Sequence, residues 1–81
     1  MKVRIQLFAV AKELANNNTV MVEVADGATI ADVRSALIAA VPGLAKLMPH
    51  ALWAVDSEYV PDATRVTEQS KLALIPPVSG G

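Results

Sequence analysis

The sequence predicts an α+β roll: one mixed β-sheet with a main helix on one face. Three observations carry that prediction. Lys2, Arg4 and Gln6 alternate with Val3, Ile5 and Leu7, and Val20, Val22 and Val24 alternate with Met21, Glu23 and Ala25. Each pattern is the period-two mark of a strand with one wet face. Between the second and third strand segments, Ile30, Val33, Leu37 and Val41 fall on one helical face. Near the end, Leu72-Ala73-Leu74-Ile75 is apolar without a break, the pattern of a central strand covered on both sides.

The elements follow in chain order. After the first strand, Ala9 to Ala15 (AVAKELA) is rich in helix formers and predicts a short helix. Asn16-Asn17-Asn18 ends it, because asparagine competes for backbone hydrogen bonds and tolerates left-handed geometry. The second strand returns antiparallel by its connection. Asp26-Gly27 signals a turn, and Thr29 three residues before Asp32 forms a capping-box pair at the main helix start. Pro42-Gly43 stops that helix, and a further turn of helix is expected over Leu44 to Met48, ended by Pro49. Leu52 to Val55 reads as a third strand, Asp56-Ser57-Glu58 as a turn, and Tyr59-Val60 as a short fourth strand cut by Pro61. Residues 62 to 70 read as loop, with Val66 plugging into the core, and Lys71 to Ile75 closes the sheet. Pro76 has no N–H and cannot continue a central ladder.

The chain has 81 residues, enough for one domain with one modest core. Residues 1–81 are read as a single domain in which 76–81 form an extended C-terminal tail. The apolar share is 53%, so a folded core is expected rather than disorder. A net charge of −1 and 4% aromatic residues supply neither the basic patch nor the stacking platform of a nucleic-acid binder. The absence of cysteine excludes disulfides and thiolate metal sites, and the single histidine excludes a His-rich site. No metal is expected. The first residues alternate instead of forming an apolar leader, and no apolar run is long enough to span a membrane. A soluble, cytoplasmic protein with no membrane partner is expected.

Catalytic groups are sparse. His50 has no cysteine or second histidine to work with, and Asp26, Asp32, Asp56, Glu58, Asp62 and Glu68 are spread over turns and a cap. The four glycines are not spaced as a phosphate loop. An enzyme acting alone is not expected. Met48 and Trp53 suit the core by size, although a tryptophan also suits an interface hot spot.

The ending IPPVSGG is the informative stretch. Six residues from Pro76 to Gly81 reach about 20 Å when extended. Pro76-Pro77 favours a stiff rise away from the sheet, and Gly80-Gly81, without side chains, can enter a narrow slot in another protein. The terminal carboxylate of Gly81 is a poor electrophile because it is ionised at neutral pH. A partner would have to activate it, most simply as an acyl-adenylate. A frayed end remains the plain alternative.

KLALIPPVSGG closely resembles the C-terminus of the small, sulfur-carrying subunits of molybdopterin synthase. That family groups with thiamine-pathway sulfur carriers and ubiquitin-like proteins. LFAVAKELA (7–15) and WAVDSEYV (53–60) are similar to its other segments, so the resemblance covers the chain. It implies a β-grasp fold, which agrees with the element order. It also implies that Gly81 is adenylated by a ubiquitin-activating-type adenylyltransferase that uses ATP, the carrier itself binding no cofactor. A sulfur donor protein then forms a thiocarboxylate. Pro76, Pro77, Val78, Ser79, Gly80 and Gly81 insert into the large catalytic subunit of the synthase, and the sulfur passes to cyclic pyranopterin monophosphate. Two carriers and two large subunits make the synthase. Phe8 and the residues near the tail, Leu74 to Val78, are expected at the partner interface. Two turns depart from the family pattern: Glu68-Gln69-Ser70 before Lys71, where the family often has Asp-Gly-Asp, and Asp56 in place of asparagine. Altered loop geometry and partner affinity are expected there. A thiamine-pathway carrier, a ubiquitin-like modifier that acylates lysines, and a binding module with an inert tail are the alternatives.

Overall fold

The computed structural model describes residues 1–77. Strand β1 (Lys2–Leu7) pairs antiparallel with β2 (Thr19–Glu23), with Val3 opposite Val22 and Ile5 opposite Val20. Helix α1 (Ala9–Ala15) lies between them, ended by Asn16 in the left-handed region at φ 53°. Helix α2 (Ile30–Ala40) follows, then a 3₁₀ segment (Pro42–His50). β3 (Leu52–Val55) and β4 (Glu58–Val60) form a hairpin, and β5 (Leu72–Ile75) closes a five-stranded sheet of order β2-β1-β5-β3-β4. β5 runs parallel to β1 and antiparallel to β3. This is the β-grasp roll expected from the sequence.

The alternation in β1 dictates the layers. Val3, Ile5 and Leu7 are almost wholly buried, whereas Lys2, Arg4 and Gln6 are exposed. The buried set packs with Leu72 and Leu74 of β5, Ile30, Val33 and Leu37 of α2, Ala11 of α1, and Leu44 and Met48 of the 3₁₀ segment. All helical elements thus feed one core on one face of the sheet. Burying a side chain of this size stabilises the fold by about 1.5–3 kcal/mol. Val66 is 2% exposed and plugs that core from the loop, as the sequence suggests.

The start of α2 is doubly held. Asp32 N–H donates to Thr29 Oγ1 at 3.4 Å and Thr29 N–H donates to Asp32 Oδ2 at 2.9 Å, the reciprocal capping box. Two more helix-start N–H groups, of Ile30 and Ala31, donate to the carbonyls of Thr64 and Asp62. The 62–66 loop is therefore fastened to the helix by main-chain bonds. Gly27, at φ 82°, supplies the left-handed turn that leads into this cap.

Three expectations need correction. Pro49 does not end the second helical stretch; it lies inside the 3₁₀ segment, which extends to His50. The fixed φ of proline, about −65°, suits the backbone of a 3₁₀ turn. β5 is central but covered on one side only: Leu72 and Leu74 are buried, whereas Ala73 and Ile75 are half-buried on the face without helices. Leu74, expected at a partner interface, is fully buried, because its register opposite Leu7 and Trp53 turns it into the core.

Candidate partner-docking surface at the end of β5

The parallel register of β1 and β5 sets Leu7 beside Leu74, and the antiparallel register of β3 and β5 sets Trp53 opposite Leu74. These three point into the core. One residue further along each strand, the side-chain alternation reverses. Phe8 has extended dihedrals (φ −129°, ψ 155°) and so continues the alternation of β1 beyond its last pair. Phe8, Ile75 and Leu52 therefore form a row across β1, β5 and β3 on the face without helices. Phe8 is 39% and Leu52 54% exposed, and Ile75 is half-buried.

The next row on that face runs through Tyr59, Ala54 and Ala73, which are paired across β4, β3 and β5. Tyr59 is 68% exposed. Small alanines between larger exposed side chains make a shallow apolar platform. Large apolar groups gathered on one face of a small domain mark a surface that another protein covers. Just beyond Phe8, Val10 and Leu14 lie one helical turn apart on α1, and both are more than a third exposed. They extend the apolar surface around the corner.

The main chain leaves the sheet at the edge of this platform. Ile75 is the last residue of β5; Pro76 is buried against the domain and Pro77 is exposed. The departure expected from Pro76 thus begins one residue later. Val78, Ser79, Gly80 and Gly81 lie outside the described residues. Phe8 lies at the tail end of β1 and is accessible. Ile75 falls within the stretch expected at the interface, whereas Leu52 and Tyr59 were missed. Their meeting depends on strand order.

Trp53 is 4% exposed and belongs to the core, and its indole Nε1–H has no hydrogen-bond partner among the described residues. Among those residues no three His, Cys, Asp or Glu side chains converge as a metal site, and no helix is long and apolar enough to cross a membrane. His50 is exposed at the end of the 3₁₀ segment. What the geometry offers is an exposed apolar row beside the point where Pro76 and Pro77 follow β5.

Residues 5–81 match the family model described as the ThiS family. The chain is 35% identical to a molybdopterin synthase sulfur carrier subunit of Chlamydomonas reinhardtii, with all of both chains covered. The fold is similar to that of SAMP1, small archaeal modifier protein 1, of Haloferax volcanii, with a TM-score of 0.89, 31% identity and full coverage of both chains. It is also similar to a chain from the complex of subunits 1 and 2 of molybdopterin-converting factor from Helicobacter pylori. There the TM-score is 0.71 at 18% identity, again over all of both chains.

Proposed function

The chain belongs to the ThiS family, and from that premise we propose that it is the sulfur carrier subunit of molybdopterin synthase. The observation that carries this reading is the full-length identity to the Chlamydomonas reinhardtii sulfur carrier subunit. The PPVSGG ending supports it, since it resembles that of the molybdopterin carriers and the thiamine carriers lack the Pro-Pro pair. On this reading an adenylyltransferase joins the Gly81 carboxylate to AMP from ATP and releases pyrophosphate. A sulfur donor supplies a hydrosulfide equivalent that displaces AMP and leaves a thiocarboxylate. The arm from Pro76 to Gly81 then enters the large catalytic subunit, and the sulfur passes to cyclic pyranopterin monophosphate.

The role of this chain is mechanical as well as chemical. The Phe8–Ile75–Leu52 row would dock on the large subunit, and that contact would fix where the arm begins. Subunits 1 and 2 of the Helicobacter pylori factor form a complex, which supports a large subunit as the partner. Holding the arm's origin on a rigid strand converts delivery of the terminal sulfur into a local search over about 20 Å. The complex would hold two carriers and two large subunits and work in the cytoplasm, with ATP bound by the activating partner.

Deleting Gly81 tests the reading. The folded domain should survive while molybdopterin formation stops; full activity of the truncated protein would overturn it. Intact-mass measurement of protein from cells should find a species with one oxygen replaced by sulfur, lost in the truncated chain. A second reading, a protein modifier, draws on the likeness to SAMP1. Adducts of Gly81 to lysines of other proteins, without the sulfur-bearing species, would favour it.

A further inference from the structure

The face without helices carries a second feature at the opposite end from the arm. A groove of about 420 Å³ is lined by Lys2, Arg4, Met21, Glu68, Ser70 and Lys71, among others. Its floor is β1 and β2, and its wall is the 67–70 loop. That loop is ordered by its own polar groups: Thr67 N–H donates to Ser70 Oγ at 2.9 Å, and Gln69 N–H donates to Thr67 Oγ1 at 3.2 Å. It is one of the two turns where the sequence departs from its family pattern.

The charges in this groove are unusual for the molecule. The whole chain has net charge −1, yet the groove lining holds three cations and one carboxylate. Ile5 pairs with Leu72 in parallel register, so Arg4 and Lys71, one residue earlier on each strand, are neighbours on the open face. Like charges side by side on a sheet are destabilising. Glu23 sits opposite Lys2 across the β1–β2 ladder. Even so, among the described residues the ion pairs are Met1–Asp26 and Arg34–Asp62, and neither relieves Arg4 or Lys71. Met21, 53% exposed, adds an apolar wall.

We propose that this groove docks an acidic, extended peptide segment of a partner protein. Crossing from β2 to β5 spans two strand spacings, about 10 Å, which about three extended residues cover. Carboxylates on that segment would pair with Arg4 and Lys71, and an apolar side chain at its β2 end would lie on Met21. The groove shares the open face with the Ala73–Ala54–Tyr59 row, so one partner can cover both. The occupant does not depend on the chemistry of the arm.

The test uses the full-length protein and a capped peptide of four glutamates around one leucine, followed by amide chemical shifts. Shifts should concentrate on Lys2, Arg4, Met21 and Ser70 to Leu72. The Arg4→Gln, Lys71→Gln double variant should weaken binding about five- to tenfold, and raising salt should weaken the wild type further. The variant's unperturbed spectrum elsewhere will establish that it is folded. Three results would each overturn the proposal: no shifts in the groove, equal affinity of the double variant, or the same shifts and affinity with a lysine-for-glutamate peptide. Pyrophosphate binding as tightly as the peptide would also overturn it and leave a small-anion site.

Discussion

Leu52 and Ile75 are direct partners across β3 and β5, and both turn away from the core that their neighbours Trp53 and Leu74 enter. One pair of adjacent rungs thus divides two jobs. The inner rung holds the fold together, and the outer rung is available to a partner.

That division predicts opposite phenotypes for neighbouring residues. Leu52→Asp should leave the melting temperature within a few degrees, because over half of that side chain is already in water. It should weaken binding to the large synthase subunit about tenfold or more by setting a charge in a desolvated contact. Phe8→Asp should behave alike. Leu74→Ala should instead cost about 2–5 kcal/mol of stability, as for buried leucines generally. Urea unfolding and isothermal titration of the three variants separate the roles. Should Leu52→Asp bind normally, the platform is not the docking surface.

The β3–β4 hairpin predicts a stabilising change. Asp56 and Ser57 link the paired residues Val55 and Glu58, and both have positive φ, 49° and 72°. This is the two-residue turn that favours Asn-Gly or Asp-Gly. Ser57 occupies a conformation costing a non-glycine residue about 1 kcal/mol. Ser57→Gly should therefore raise stability by about 0.5 kcal/mol after the larger chain entropy of glycine is counted. Asp56 should not be exchanged so freely. Its Oδ1 accepts from Lys71 N–H at 3.1 Å, while its own N–H donates to the Lys71 carbonyl. Asp56→Ala should destabilise by about 1 kcal/mol by leaving the entry to β5 without that acceptor. Thermal unfolding of both variants checks the pair of signs.

The legible parts of this fold were those with a local cause. The β1 alternation separates Val3, Ile5 and Leu7 from their wet neighbours, and Thr29 with Asp32 announces the helix that they cap. LWAV, by contrast, has no polar residue to set its phase, so the sequence leaves Trp53 open. The pairing with Leu74 settles it as core. Leu74 was misread for the same reason: in an unbroken apolar run, facing is decided by partners distant in sequence. The exposed apolar row was hidden more deeply, since Phe8, Leu52 and Ile75 meet only through the β1-β5-β3 order. The groove's like-charged neighbours Arg4 and Lys71 are likewise a product of long-range register.

Trp53 predicts a graded response. Its ring fills core volume against Leu74 and Val60, but its Nε1–H has no acceptor among the described residues. An unpaired buried donor costs about 1–3 kcal/mol. Trp53→Phe loses packing and also removes that donor, so the two effects partly cancel and the net change should stay within about 1.5 kcal/mol. Trp53→Ala loses the ring entirely and should cost about 3–5 kcal/mol. Equal, large losses for both variants in urea unfolding would mean that the indole N–H has a partner in solution.

The last prediction concerns acid. Arg34 on α2 grips Asp62 through two contacts, Nη1 to Oδ1 at 2.9 Å and Nη2 to Oδ2 at 2.8 Å. Hydrogen bonding from Arg34, helped by its charge, holds the Asp62 carboxyl below the usual range, and the same bond raises the guanidinium. A carboxyl whose folded value lies below its unfolded one binds more protons when unfolded. Its contribution to stability is then complete above about pH 4–5 and lost as the pH falls through the folded value. Arg34 stays charged throughout and adds no pH dependence of its own. Asp62 is more than half exposed, so water screens the pair and Asp62→Asn should cost only about 0.5 kcal/mol at pH 7. The difference between wild type and variant should shrink as the pH falls through the folded value of Asp62. It should also shrink at high salt, because the pair is on the surface. The Asp62 carbonyl still accepts from Ala31 N–H in the variant, so the loop keeps its main-chain anchor and the measured change isolates the side-chain pair. Urea unfolding of both proteins at neutral and acid pH makes the comparison. A difference that grew toward low pH would reverse the assigned sign.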